Sequence, residues 1–186
     1  MINRLKKYLT FIFILTCGTL LSQEKNKANI DNYLSEKFSL KSNMYQIKSS
    51  VETNPNYDVY YIQQKFNNLE IHNAISTMSI KDGEIKSYND RFVDESYGKS
   101  SLLEPKIDSY SAIDQALNEL NIREFKNSTD GWTHTNINNI ESELIYVNKD
   151  GKLHLAWNFN LITTDHKNWY DIFVSADNGE ILKTEN

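Results

Sequence analysis

The sequence predicts an α+β fold of two units, each with a helix packed on an antiparallel sheet. Apolar residues recur at helical spacing in two segments, near 28–38 and near 109–120. Residues 152–162 alternate between apolar and mostly polar, which is typical of a strand with one buried face. Strand-like runs follow each helix, and they are separated by turn dipeptides: Asp82-Gly83, Asp150-Gly151 and Asn178-Gly179.

The first unit opens with a helix predicted from Ala28 to Phe38. Asp82-Gly83 predicts a tight hairpin after it, because Asp and Gly accept a positive φ at low cost. Four strands are predicted around that turn, over Met44–Thr53, Tyr57–Phe66, Ala74–Ile80 and Glu84–Tyr88.

The second unit opens with a helix that has Ser109 or Ser111 as its N-cap, followed by a loop at 127–131. Within the strand at 152–162, the odd-numbered residues from Leu153 to Leu161, including Trp157, are predicted to be buried. The even-numbered ones, including His154, are predicted to form a largely polar face. The strands predicted here are Glu143–Val147, Lys152–Ile162, Trp169–Ala176 and Glu180–Lys183.

The N-terminus predicts export. Residues 1–22 have a basic start, a short apolar centre and a small-residue end, as in a secretory signal peptide. We favour cleavage after Ser22 or Gln23, and therefore a secreted chain, over an uncleaved anchor. We also favour it over lipidation at Cys17, since Thr16 stands where a lipobox has Gly, Ala or Ser. Removing this segment takes three cations away and changes the net charge from −5 to −8.

Composition argues against several function classes. The acidic balance disfavours binding to nucleic acid or to an anionic membrane. No two of the four histidines stand four positions apart, so no zinc-binding His-Glu-x-x-His motif occurs, and the chain has neither a nucleophile elbow nor a phosphate-binding glycine loop. The single cysteine lies in the predicted signal. We therefore predict a non-catalytic exported protein that holds no metal or other cofactor.

Two stretches resemble the pro-region of fungalysin-type metallopeptidases. The first, residues 58–74 continuing through Asp82 and Gly83 to Val93, is similar to the fungalysin/thermolysin propeptide (FTP) motif, with Asn68 where that motif has a turn Gly. The second, residues 153–157 with 169–182, resembles the PepSY-type half of the same propeptides. The matching positions, which we interpret as structural, are Tyr60, Gln63, Asn67, Asn73, Ala74, Asp82, Gly83, Trp157, Asp177, Gly179 and Glu180.

The resemblance implies a domain plan and a function. It implies two cystatin-like units, an FTP-type unit at 23–94 and a PepSY-type unit at 109–186, joined by a linker at 95–108. It also implies an inhibitor and folding chaperone of a secreted metallopeptidase, acting on that catalytic domain in cis or in trans. Zinc is expected only in that domain, which these residues do not include. The alternatives are a free-standing exported module that binds another protein or peptide, and an enzyme.

Overall fold

The computed structural model of this chain describes residues 24–54, 57–94, 102–126, 133–134, 136–137, 140–165 and 167–186. The predicted signal peptide with Cys17 lies outside the described residues, as do the loop at 127–131 and positions 95–101 of the predicted linker. By their contacts the residues form two units: Met1–Gln64 with Ile75–Arg91, and Lys65–Ala74 with Phe92–Asn186.

The first unit contains one helix and most of four strands. Helix α1 spans residues 24–38, four residues longer at its start than predicted. Strands β1 and β2 pair antiparallel, and so do β3 and β4. Their bounds are Tyr45–Asn54 for β1, Tyr57–Phe66 for β2, Leu69–Lys81 for β3 and Glu84–Asn89 for β4.

Helix α1 lies against one face of this sheet. Ile30 and Leu34 are fully buried on the helix, and Tyr33 and Phe38 place their rings 5.2 and 5.5 Å from the ring of Tyr88 on β4. Asn29 donates a hydrogen bond to the Gly83 carbonyl at 2.7 Å. The helix therefore contacts both the sheet and the β3–β4 turn.

The second unit contains helix α2, Ser109–Glu119, and a sheet built around β8. Asp108 is the N-cap, where Ser109 or Ser111 was predicted. Its side chain accepts a hydrogen bond from the Ser111 amide at 2.8 Å. The strands are β5 (Phe125–Lys126), β6 (Thr133–His134), β7 (Ser142–Lys149), β8 (Lys152–Thr163), β9 (Trp169–Ser175) and β10 (Ile181–Glu185).

Buried apolar side chains cover both faces of this second sheet. On one face α2 packs against β8 and β9, with Phe159 and Ile172 in the same cluster as Ala116. On the other face Ala156 and Phe173 pack with residues of β7. The prediction that the even-numbered residues of β8 form a largely polar face is therefore wrong at Ala156, which is fully buried.

The predicted fold class is wrong. About half of the described residues are in strands, there are only two short helices in this part of the chain, and the strand pairings join into a single mixed sheet. The chain is therefore mostly β and does not consist of two cystatin-like units with a sheet each. The joining pair is parallel, with Ile71 of β3 opposite Tyr146 of β7. Local periodicity locates strands but does not specify which distant strands pair.

Three two-residue turns have a left-handed backbone, and two of them are turn dipeptides predicted above; in the third predicted dipeptide, Asn178-Gly179, only Gly179 has a positive φ, of +81°. Both residues have positive φ in Asp82-Gly83 (+53° and +80°), in Asp150-Gly151 (+53° and +73°) and in Asn67-Asn68 (+48° and +65°). This left-handed pair fits the twist of the flanking antiparallel strands. Asn68 thus adopts a left-handed conformation, which Asn does more readily than most residues.

Candidate functional site

The residues of β2 that resemble the FTP motif are buried and hydrogen-bonded. Tyr60 is 6% exposed, and its hydroxyl accepts from the Asn26 side chain at 3.0 Å and donates to Asp58 at 3.4 Å. Burial raises the pKa of the Tyr60 hydroxyl above its usual value. The buried Gln63 amide donates to the Gln64 carbonyl at 2.9 Å. Both side chains therefore stabilise the fold and are inaccessible to a partner.

The remaining residues of that motif shape β3. Asn67 begins the β2–β3 turn and donates to the Leu103 carbonyl at 3.3 Å. Asn73 has a φ of +60° inside the strand, a left-handed conformation that Asn adopts more readily than most residues. Ala74 is 1% exposed and packs in a cluster with Ile71 and Tyr146.

Trp157 lies between two clusters of buried apolar residues in the second unit. Its ring is half-buried and packs against two groups of buried residues, and its indole N–H donates to the Ile107 carbonyl at 2.9 Å. The amides of Lys106 and Ile107 both donate to the Ala176 carbonyl, at 2.8 and 3.2 Å. The end of the segment predicted as a linker is thus hydrogen-bonded into the second unit.

The predicted residues Asp177, Gly179 and Glu180 form the β9–β10 turn. Gly179 has a φ of +81°, and a Cβ there would lie 1.6 Å from the Gln115 side-chain oxygen. Asp177 pairs with Lys106 at 2.5 Å, and Glu180 pairs with Lys149 at 3.1 Å. The structure therefore brings these three residues together in the second unit, while Tyr60, Gln63, Asp82 and Gly83 belong to the first.

The surface that motif reasoning missed is the sheet face of the first unit that α1 leaves uncovered, which we name the open face. It carries three large apolar side chains: Val51 on β1 (47% exposed), Tyr61 on β2 (39%) and Ile75 on β3 (37%). Pairing of Val51 with Val59 places Val51 on the face of β2 that carries Tyr61, because side chains alternate along a strand. The sequence alone gives no signal for this face, because Tyr60, Tyr61 and Ile62 belong to one apolar run, in which the structure buries Tyr60 and Ile62 but not Tyr61.

Strand β1 adds an edge to the open face. In the part of the chain that the structure describes, β1 pairs with β2 on one side only. A bulge at Lys48 interrupts its register, a feature that limits edge-to-edge pairing in natural sheets. The regular stretch that follows runs from Ser49 to Val51 and is exposed. Contact with a partner would therefore depend on side chains of the face together with this short stretch.

Side chains suited to metal binding do not cluster in the described ranges. No group of three or more His, Cys, Asp or Glu residues there could hold a metal ion. His72 lies closest to such a group, since its Nε2 is 3.5 Å from Glu185, but Lys183 lies 3.4 Å from the same nitrogen.

Comparison with known proteins gives likeness in structure only. The chain matches no known protein family and no curated protein sequence. Among solved structures it is similar to the Bacillus megaterium YpeB C-terminal domain, at 17% identity and a TM-score of 0.41, over 87% of this chain and 63% of that structure. It is also similar to a candidate lipoprotein from Clostridium difficile 630, at 17% identity and a TM-score of 0.28, over 86% of this chain and 91% of that one.

The described residues contain no helix that is long and apolar enough to cross a membrane.

Proposed function

We propose that this chain is an exported, non-catalytic pro-region module that inhibits a fungalysin-like zinc metallopeptidase and assists its folding. The proposal rests on the FTP-like stretch at 58–74 and the PepSY-like residues of β8 and β9. The structural observation that supports it is the open face. Val51, Tyr61 and Ile75 are exposed on a sheet whose other face is covered by a helix. Export is supported by the signal-like residues 1–22.

Binding through this surface would have an apolar and an electrostatic component. Aromatic and aliphatic anchors supply most of the affinity in protein interfaces, and here Tyr61 is the aromatic anchor. The net charge of −8 after signal removal would speed encounter with a basic cleft rim. That steering weakens when salt screens charges over about 8 Å at physiological ionic strength. Affinity that resists salt should therefore depend on the open face.

The test is a progress curve of a separately produced fungalysin-type catalytic domain with increasing amounts of the signal-free chain. We expect inhibition that saturates. Tyr61→Asp should weaken it by about thirtyfold, since losing a central anchor costs roughly 2 kcal/mol. The matched control is Tyr110→Asp, which makes the same change at a 53% exposed tyrosine of α2 in the second unit.

The outcomes separate the proposal from its alternative. Inhibition that Tyr61→Asp removes and Tyr110→Asp preserves would support the open face as the inhibitory surface. Equal loss in both variants would reject that surface. A folded chain that gives no inhibition at excess would reject the peptidase partner and favour an exported module that binds another protein.

A further inference from the structure

A cavity of about 290 Å³ lies in the second unit beside the β9–β10 turn. This volume is at the lower end of the roughly 300–1,000 Å³ that small-molecule sites occupy. Part of its lining is aliphatic: Leu102, Leu153, Leu155 and Leu182. The rest is polar and includes the exposed start of β8 and the β9–β10 turn, so a ligand would meet both kinds of surface.

The two carboxylates of the cavity already have cationic partners. Asp177 pairs with Lys106 at 2.5 Å, and Glu180 pairs with Lys149 at 3.1 Å. Their charges are therefore largely compensated within the protein. A cationic ligand would have to compete with these lysines, which argues against a cation as the occupant.

The remaining polar side chains of the cavity can each still donate a hydrogen bond to a ligand. Lys152 and His154, two positions apart on one side of β8, have no side-chain hydrogen bond or ion pair with any residue in the described ranges. Ser175 is 5% exposed and its Oγ accepts from the Asp177 amide at 3.2 Å, which leaves its own proton to donate. The Asn178 side-chain oxygen accepts from the Glu180 amide, which leaves its NH₂ group to donate.

We propose that this cavity binds an aliphatic carboxylate. The carboxylate accepts from the Lys152 ammonium, and from His154, Ser175 or Asn178, because charge-assisted hydrogen bonds are the strongest available there. The aliphatic group packs on Leu182, which lies with Ala156 on the face of β8 that carries Lys152 and His154, because side chains alternate along a strand. Lys152 is the lysine that lines the cavity, and it has no carboxylate partner among the described residues, so its positive charge is uncompensated there.

Two sources share this chemistry: the free C-terminus of a peptide that ends in an aliphatic residue, and a small branched carboxylic acid. The site lies within the second unit and does not depend on the inhibitory role of the open face. Loss of peptidase inhibition would therefore leave this proposal intact, and failure of ligand binding would leave the inhibitory role intact.

The experiment is a calorimetric and NMR titration of the signal-free chain with N-acetyl-L-leucine, N-acetyl-L-leucinamide and isovalerate. We expect saturable binding of at least one carboxylate, with the amide weaker by on the order of tenfold or more. Preference for N-acetyl-L-leucine identifies the peptide C-terminus as the source, and preference for isovalerate identifies the small acid. Equal binding of the amide, or no saturable binding of any probe, overturns the proposal.

Two variants locate the binding. Lys152→Met removes the ammonium and keeps most of the aliphatic stem, and it should weaken carboxylate binding on the order of tenfold. Lys81→Met makes the same charge change at an exposed lysine of β3 that does not line the cavity, and it should leave binding unchanged. Both variants should have the same melting midpoint as the parent chain, which excludes unfolding as the cause of weaker binding. Equal binding by Lys152→Met and the parent chain would reject the site.

Discussion

The strands of the two units are buried differently, although their pairings join into one mixed sheet. In the first unit α1 covers one face, and the other carries exposed Val51, Tyr61 and Ile75. In the second unit α2 covers one face, and the opposite face also holds buried residues, among them Ala156 and Phe173. The part of the sheet in the first unit is therefore packed on one side, and the part in the second unit is packed on both sides.

This difference explains why the alternation of β8 did not reveal its second buried face. A one-sided sheet produces the alternation of apolar and polar residues that a period of two reveals. In a two-sided sheet the second face also needs small or apolar residues, and Ala156 fills such a position without standing out among Asn158 and Asn160. Shortening a buried side chain of the second unit should therefore lower the free energy of unfolding more than shortening a side chain on the open face of the first.

The largest effect is expected at Phe173. It is 1% exposed, and its ring lies 4.2 Å from the ring of His72. Phe173→Ala should lower the free energy of unfolding by about 3–5 kcal/mol, since it removes a large buried ring and leaves a cavity. Val51→Ala on the open face should change it by less than about 0.5 kcal/mol. Urea unfolding followed by circular dichroism measures both variants. Similar losses of unfolding free energy would contradict the difference in burial between Phe173 and the open face.

The next effect concerns tyrosine hydroxyls. Burial, together with the hydrogen bond to Asp31 and its charge, raises the pKa of Tyr45, and burial also raises those of Tyr60 and Tyr88 in the first unit. A raised pKa in the folded state contributes stability that is complete below the unfolded value of about 10 and is lost as the pH rises above it. The first unit should therefore lose stability in alkali.

Tyr45→Phe tests this. Tyr45 donates to Asp31 at 2.5 Å, and Asp31 is partly exposed. Removing the hydroxyl should lower the free energy of unfolding by about 1–2 kcal/mol at neutral pH. This range allows for the screening of a charge-assisted hydrogen bond by solvent. It should also reduce the fall in stability between about pH 9 and 11. Tyr61→Phe controls for loss of an exposed hydroxyl. An unchanged alkaline slope in Tyr45→Phe would contradict the role of this bond.

An effect of similar size is expected at Asn73, where β3 passes from residues of the second unit to residues of the first. Its φ of +60° should make Asn73→Val destabilising by about 1–2 kcal/mol, because a branched Cβ is strained there. Asn73→Gly should be neutral within about 0.5 kcal/mol or slightly stabilising. Thermal melts measure the pair, with the exposed Ile75→Val as the control. Equal midpoints for the Val and Gly variants would show that the left-handed backbone is not required.

The smallest effect is expected at the N-cap of α2. Asp108→Ala should lower the melting midpoint, and Asp108→Asn should lower it less, because Asn can still accept from the Ser111 amide. That hydrogen bond holds the pKa of Asp108 below its usual value, so the contribution of its charge is present above about pH 4 and is lost on acidification. Asp114→Ala, within the same helix, is the control, and an equal shift there would reject the cap.

Sequence reasoning located local features better than pairings. Strand β2 has the predicted bounds, Tyr57–Phe66, because it is rich in aromatic and β-branched residues and Asn67-Asn68 ends it. The two-residue strands β5 and β6 were missed, since two residues carry no period. Strand β3 begins at Leu69 and not at Ala74, because the left-handed Asn73 interrupts the pattern without ending the strand. The open face was not predicted, because exposure depends on which side the helix covers.

The order of the chain through the two units has a consequence during synthesis. Residues 65–74 belong to the second unit, yet they emerge before 75–91, which complete the first. Ile71 and Ala74 can pack in their cluster only after Tyr146, Leu153 and Ala176 have been synthesised, more than seventy residues later. A nascent or truncated chain that ends near residue 94 would expose these apolar side chains. We expect chaperones and proteases to bind such a fragment. Because each unit consists of two separate stretches of the chain, dividing the gene at one point would not yield two complete units.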